Sequence, residues 1–212
     1  MLIYAVADIH GRCDRIALIG NKVLKHRPDV LVVAGDITNY IRPEPVIAEL
    51  NDIPAPVLTI RGNSDLNRVE KLFDKYPNIF PLHLKEIVVD GISFTGVSGT
   101  MPVPFSSLIS FREKHVIDRL RLFVKRDTVL VAHPPPRGTL DEVLGRFHAG
   151  CRRLQKIVVN TQPRLLICGH IHERPGALFV GETLVVNCSM GRKGAGILIS
   201  LNKGMPPEAE LI

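Results

Sequence analysis

The chain contains no tryptophan, three tyrosines and eight phenylalanines among its 212 residues. That is a thin supply of the aromatic platforms on which single-stranded nucleic acid stacks. No run approaches the roughly 18 apolar residues that a membrane helix needs. The longest runs, such as residues 30–35, are the length of a strand. Cysteine is sparse: Cys13, Cys151, Cys168 and Cys188 are far apart and form no CxxC pair. They read as reduced, mostly buried thiols, with a disulfide expected only in a hyperthermophilic source. The opening MLIYAVADIHGR has no basic leader and brings in Asp8 early, so no secretory signal is expected. These absences predict a soluble, cytoplasmic protein with no membrane association.

What is present fits a globular fold. Hydrophobic residues make up 45% and charged residues 23%, near the globular average. A chain of this size buries about 70% of its unfolded surface without help from disulfides, and one domain over 1–212 is expected. Lys and Arg outnumber Asp and Glu by 27 to 21, a net charge of +6. Such a surface favours anionic partners, small phosphate esters first among them. Nucleic acid is permitted by the charge, but no arginine-rich run supports it.

The hydrophobic pattern sorts into strands and helices. Continuous apolar runs at 2–7, 30–34 and 57–60 read as buried strands. Helical periods at 14–26, 43–50 and 66–76 separate them, which implies a parallel sheet. Asp90-Gly91 then marks a hairpin between 86–89 and 92–97. A loop over 100–111, a helix at 115–124, a strand at 128–132 and a Pro-rich loop at 134–138 follow. The rest reads as a helix at 151–160, a strand at 165–168, a hairpin of 177–180 with 183–187, and a final strand at 196–201. The tail from about 202 holds two prolines and is expected to be weakly ordered. The mixture suggests two packed sheets with helices outside.

Five short segments share one property: each places hard or imidazole donors directly after a strand-like run. They are Asp8-Ile9-His10, Gly35-Asp36, Gly62-Asn63-Ser64-Asp65, Ala132-His133-Pro134 and Gly169-His170-Ile171-His172. Residues just beyond the carboxyl ends of strands converge in the binding crevice of α/β folds. The set is carboxylate, amide and imidazole, without thiolate, and suits Mn, Fe, Zn, Ni or Co. It uses four of the eight histidines.

In this order, DxH, GD, GN, H and GHxH, the segments resemble the signature of the calcineurin-like metallophosphoesterases. The short, cap-free chain is similar to their small bacterial and archaeal phosphodiesterase branch. The resemblance implies a four-layer α-β-β-α sandwich of two mixed β-sheets. It also implies two divalent ions, Mn favoured. By analogy Asp8, His10 and His172 hold one, Asn63, His133 and His170 hold the other, and Asp36 bridges both. The implied reaction is hydrolysis of a phosphodiester through a metal-bridging hydroxide, with Asp36, Asn63, Ser64 and His133 as the catalytic residues. Asn63 and Arg12 are expected to bind substrate.

Ser64 departs from the pattern. Many relatives carry histidine there, thought to assist the leaving group. Serine is a poor acid at neutral pH, and general acid assistance is worth about 10²–10⁴-fold. Slow turnover on poor leaving groups is expected unless another donor, such as His148 or a metal-bound water, takes over. Asp65 is expected to cap the helix at 66–76. Arg61 and Arg112 are further phosphate-clamp candidates. Arg192 and Lys193 are placed at the entrance, and 101–112 and 134–148 are expected to shape specificity. Three other readings remain open: a phosphomonoesterase, a nuclease, and a metal-binding interaction scaffold of the same fold.

Overall fold

The computed structural model describes residues 1–40, 42–99, 110–191 and 194–212, the side chains of 110–114 excepted. The first third alternates as β1 (Leu2–Val6), α1 (Cys13–His26), β2 (Val30–Ala34), α2 (Pro43–Asn51), β3 (Val57–Ile60), α3 (Asn67–Phe73) and β4 (Ile79–Pro81). Next come β5 (Glu86–Val89), β6 (Ile92–Val97), α4 (Ser110–Arg121), β7 (Val129–Ala132), β8 (Glu142–Val143), β9 (Phe147–His148) and α5 (Arg152–Thr161). The chain closes with β10 (Leu165–Cys168), β11 (Gly176–Val180), β12 (Thr183–Asn187), β13 (Ile197–Ser200) and β14 (Glu208–Leu211).

Two mixed sheets result. One runs β14-β13-β1-β2-β3-β4, the other β11-β12-β10-β7-β6-β5. β1, β2, β3 and β4 pair in parallel, as do β6, β7, β10 and β12. The outer pairs β1–β13, β13–β14, β11–β12 and β5–β6 are antiparallel.

Alternation along each strand explains the four layers. Ile3, Ala5, Val32 and Leu58 from the first sheet share one core with Val131, Ile167 and Val186 from the second. Their neighbours Tyr4, Val6, Leu31 and Val33 point the other way, onto Ile16, Ile19, Ile47 and Phe73 of α1, α2 and α3. Leu130 and Leu166 point outward from the second sheet onto Ile117, Leu120, Leu154 and Ile157 of α4 and α5. Successive strand residues face opposite sides, so each central strand is apolar throughout because both its faces are covered. This is the expected α-β-β-α sandwich. Among the described residues, no helix is long and apolar enough to cross a membrane.

Several boundaries differ from expectation. The tail forms β14, which pairs with β13 from Ser200↔Glu208 to Ile197↔Leu211. Both prolines, at 206 and 207, precede the strand, so they do not interrupt its ladder. The strand at 197–200 is therefore not the last. β4 ends in Pro81 and is only three residues long, too short to carry a period; it survives as the edge of its sheet. α4 begins at Ser110, earlier than the helix expected at 115–124, and the rest of the expected loop, 100–109, lies outside the described residues. Cys13 is exposed, and Cys151, Cys168 and Cys188 are buried; all four are free thiols.

Candidate metal centre

Every predicted donor sits beyond the carboxyl end of a parallel strand: Asp8 and His10 after β1, Asp36 after β2, Asn63 after β3, His133 after β7, His170 and His172 after β10. The two sheets are joined at this edge, where Ala7 bridges Ser189 just past β12. The loops also hold one another. Asp8 N–H donates to the Gly35 carbonyl at 3.1 Å and His10 N–H to the Asp36 carbonyl at 2.8 Å. Gly169 N–H donates to the His133 carbonyl at 2.9 Å.

The turns into the cluster are sharp. Asp8, His10, Asp36 and His170 all have left-handed backbones, with φ of 63°, 54°, 52° and 69°. For residues with a Cβ this conformation costs on the order of 1–3 kcal/mol each, and it gathers where function over-determines the backbone. Two glycines leave the space that the turns need. A Cβ on Gly62 would stand 2.1 Å from Asp36 Oδ1. Gly35 has φ +88°, and a Cβ there would stand 2.7 Å from His133 Nδ1.

Two overlapping groups of donors emerge. The donor atoms of Asp8, His10 and His172 lie within 4.8 Å of one another, as do those of Asp8, Asp36 and His133. Asn63 and His170 join the second group through one oxygen: Asn63 Oδ1 is 2.9 Å from His133 Nε2 and 3.0 Å from His170 Nδ1. All seven predicted donors thus meet at one edge. Asp8 belongs to both groups, and Asp36 reaches both, with Oδ2 3.9 Å from His10 Nε2 and Oδ1 3.5 Å from His133 Nε2.

The arrangement calls for a cation. His133 is fully buried, and its Nδ1 lies 2.8 Å from the Ala34 carbonyl, which can only accept. Nδ1 therefore carries the proton, and Nε2 of the neutral ring presents a lone pair. That nitrogen faces Asn63 Oδ1 at 2.9 Å, Asp36 Oδ1 at 3.5 Å and Asp8 Oδ1 at 4.0 Å. Asp8 Oδ1 is itself buried without a hydrogen bond. Lone pairs facing one centre are relieved by a proton or a metal ion, and the N/O donor set suits divalent first-row metals.

The electrostatics agree. Burial alone would raise the Asp36 carboxyl, but the facing His133 and the two donors of Ser64 overcome it and hold the group far below the usual carboxylate range. Burial likewise opposes Asp8, yet His172, His133 and Ser189 bring it below its ordinary value. His172 is raised by the Asp8 carboxylate that faces it, 3.4 Å from its Nε2. His133 is raised by Asp36 in spite of its burial. His170 is lowered, first by burial and then by the neighbouring His133.

The remaining candidates divide. Ser64 is buried and serves Asp36: its N–H donates to Oδ1 at 2.7 Å and its hydroxyl to Oδ2 at 2.9 Å. The exposed guanidinium of Arg12 pairs with Asp14 through bonds of 3.0 and 2.5 Å. Arg61 donates to the carbonyls of Gly62 and Asp65, at 3.4 and 3.1 Å, and braces the Asn63 loop from behind. The side chain of Arg112, together with Arg192 and Lys193, lies outside the described residues, as does 101–109 of the expected specificity loop.

Asp65 does not cap α3, whose preceding residue Leu66 makes no side-chain cap. Its buried carboxylate turns back instead. It accepts from the N–H groups of Ile37, Thr38 and Gly62 at 3.1, 2.7 and 2.9 Å, and from the Thr38 hydroxyl at 2.7 Å. One side chain thereby ties the Asp36 loop to the Asn63 loop. Arg15, which sequence reasoning misses, donates to the carbonyls of Asp8 and Gly191 and clamps α1 to the site. Its partners are 7 and 176 residues away, so no local pattern announces it. A cavity of about 600 Å³ lined by Arg126, Arg164, Phe179 and Met205 lies at the other end of the strands, away from the donors.

Comparison with known proteins supplies the family. The uncharacterized protein MJ1162 of Methanocaldococcus jannaschii is 33% identical over 201 residues, covering 89% of this chain and 88% of that protein. A cAMP/cGMP dual specificity phosphodiesterase of Mycobacterium tuberculosis is 26% identical over 170 residues, 73% of this chain and 52% of that protein. The fold is shared with TT1561 of Thermus thermophilus, with a TM-score of 0.72 at 13% identity, covering 99% of this chain and 98% of that one. The model of the calcineurin-like phosphoesterase family matches residues 1–174, the stretch that contains all seven gathered donors, and the chain belongs to that family.

Proposed function

We propose that the chain hydrolyses phosphate esters, phosphodiesters foremost, at two divalent ions. The family holds a dinuclear metal centre, and one observation carries the reading for this chain: seven N and O donors from five strand ends meet at one edge, around a buried Asp8 Oδ1 that has no hydrogen bond. When bound, a pair of divalent ions polarises phosphoryl oxygens and lowers the pKa of a water. Asp8, His10 and His172 would hold one ion, Asn63, His133 and His170 the other, with Asp36 between them.

The chain's own groups prepare the site. The Ala34 carbonyl fixes the His133 tautomer, so Nε2 is offered as a ligand. Ser64 holds both oxygens of Asp36. Asn63 turns Oδ1 to the two imidazoles; one amide N–H donates to the Ser64 hydroxyl at 3.5 Å, which leaves the other to bind a phosphoryl oxygen. Only two carboxylates enter the set, so two divalent ions keep excess positive charge to attract an anionic ester. The Mycobacterium relative acts on cyclic nucleotides by its name, which supports a diester substrate here. Manganese is the metal we favour for these carboxylate and imidazole donors, and the free cysteines fit a reducing compartment, the cytoplasm.

The test is elemental analysis of the purified protein, followed by bis(p-nitrophenyl) phosphate and p-nitrophenyl phosphate with the metal found. Two equivalents of metal and faster diester turnover are expected. Faster monoester turnover would reverse the substrate order. Tight metal binding without turnover on any ester would favour an interaction scaffold. DNA binding that falls steeply with salt would favour a nuclease.

A further inference from the structure

The position after Asn63, where the family pattern has a leaving-group donor, is closed to that role here because the Ser64 hydroxyl is committed to Asp36 at 2.9 Å. A second histidine, outside the donor set, is held by a buried carboxylate. His148 Nδ1 lies 2.7 Å from Oδ1 of Asp141, whose side chain is 1% exposed. The other oxygen, Oδ2, accepts from Gly150 N–H at 3.0 Å, and the Asp141 carbonyl accepts from Ala149 N–H at 3.0 Å. A Cβ on Gly150 would stand 2.7 Å from that carboxylate and from the Pro136 carbonyl, so the turn closes tightly around the aspartate. A carboxylate on Nδ1 fixes the orientation of the ring. Nε2 is then the outward nitrogen of a side chain that is 43% exposed.

Topology sets this pair at the metal edge. β7 and β10 are parallel, so α5 between them runs antiparallel to both and starts at the end where His133 and His170 lie. His148 precedes α5 by a few residues. The loop that carries it is closed at its base, where Cys151 N–H donates to the Pro135 carbonyl at 2.8 Å and Arg137 N–H to the Cys151 carbonyl at 3.1 Å. Pro135 is two residues past the ligand His133. On the other side His148 pairs in register with Glu142, and Glu142 is bonded to Arg174, two residues past the ligand His172. The hairpin is thus anchored to both ligand-bearing loops.

We propose that His148, positioned by Asp141, is the general acid of the hydrolysis. This rests on the phosphodiesterase reading above. As water oxygen forms its bond to phosphorus, the bond from phosphorus to the leaving oxygen breaks and its electron pair stays on that oxygen. The Nε2 proton of the imidazolium passes to it, an alcohol departs, and the proton released by the attacking water restores the imidazolium through solvent. Charged groups linked to this hairpin include Asp141, Glu142 opposite His148, Arg174 bonded to Glu142, Arg146 in the turn, and Arg137, which donates to the His148 carbonyl at 2.9 Å.

The experiment compares wild type, His148→Asn and Asp141→Asn, each loaded with metal, on aryl methyl phosphates whose leaving groups range from p-nitrophenol to phenol. Asn at 148 keeps a donor toward Asp141. The loss in His148→Asn is expected to grow from about threefold for p-nitrophenol to about 100-fold for phenol, within the usual range for a lost general acid, and Asp141→Asn is expected to follow the same trend more weakly. An equal loss across the series would mean a merely structural role and overturn the proposal, leaving the phosphodiesterase reading intact. Wild type inert toward every ester would overturn both. A second readout needs no turnover. In ¹⁵N-histidine spectra of the zinc-loaded protein, inorganic phosphate is expected to shift the Nε2 signal of His148, and an unmoved signal would also overturn the proposal.

Discussion

Ser64 grips Asp36 from two sides, with its backbone N–H on Oδ1 at 2.7 Å and its hydroxyl on Oδ2 at 2.9 Å. The carboxylate is thereby aimed before any ion arrives. Ser64→Ala keeps the first bond and loses the second. The expected cost is about 1 kcal/mol in stability and roughly 10–100-fold in metal affinity, the usual penalty for losing a hydrogen bond to a ligand. Competition with a chromogenic chelator measures the second number.

Metal binding should release protons. His133 and His172 hold theirs above the ordinary imidazole value in the metal-free protein, and ligation needs the neutral rings. Affinity is therefore expected to rise with pH through and beyond about 6.5, the free imidazole value. It should level off once both rings are neutral. Calorimetry in buffers of different ionisation enthalpy counts the protons.

The same groups set the acid and base limits of the metal-free fold. Raised histidines contribute stability that is fully present below about pH 6.5 and lost as pH climbs through their raised values. Asp8 and Asp36, held low, contribute stability present above about pH 4 and lost as pH falls through their depressed values. Thermal melts of the metal-free protein should peak between these limits. Added metal should move the optimum to higher pH.

Gly62→Ala should be far more damaging than an ordinary loop substitution. The new methyl would lie 2.1 Å from Asp36 Oδ1 and 2.3 Å from its backbone nitrogen. Overpacking of this kind costs about 1–3 kcal/mol or more, and here relief requires Asp36 to move. Thermal unfolding and metal content should fall together.

Asp65→Ala separates two readings of one residue. Loss of a helix cap costs about 1 kcal/mol. The structure has four donors converging on this buried carboxylate, and each buried donor left unpaired costs roughly 1–3 kcal/mol. Denaturant unfolding should show a loss well above the capping value, with reduced metal binding.

Much of the architecture is legible in the pattern of residues. Runs such as 30–34 are apolar at every position because both faces of the strand are covered, by the opposite sheet and by α1–α3. Short pieces are not legible. β4, β8 and β9 span two or three residues, less than any period needs, and β14 is hidden behind a pair of prolines that it simply follows. The donors are legible because each follows a strand end. The groups that aim them are not: Asp65 reads locally as a cap, and the partners of Arg15 lie too far along the chain for any local pattern to announce them.

The order of donor residues and their placement after apolar runs fix the family and the end of the sheets where chemistry gathers, since a strand delivers whatever follows it to its carboxyl edge. Which donor pairs with which, which oxygen stays bare, and which side chains brace the loops were decided by tertiary packing alone. Those relations join residues as far apart as Arg15 and Gly191, 176 positions in the chain. They depend on distances of a few tenths of an ångström that only the closed sandwich sets.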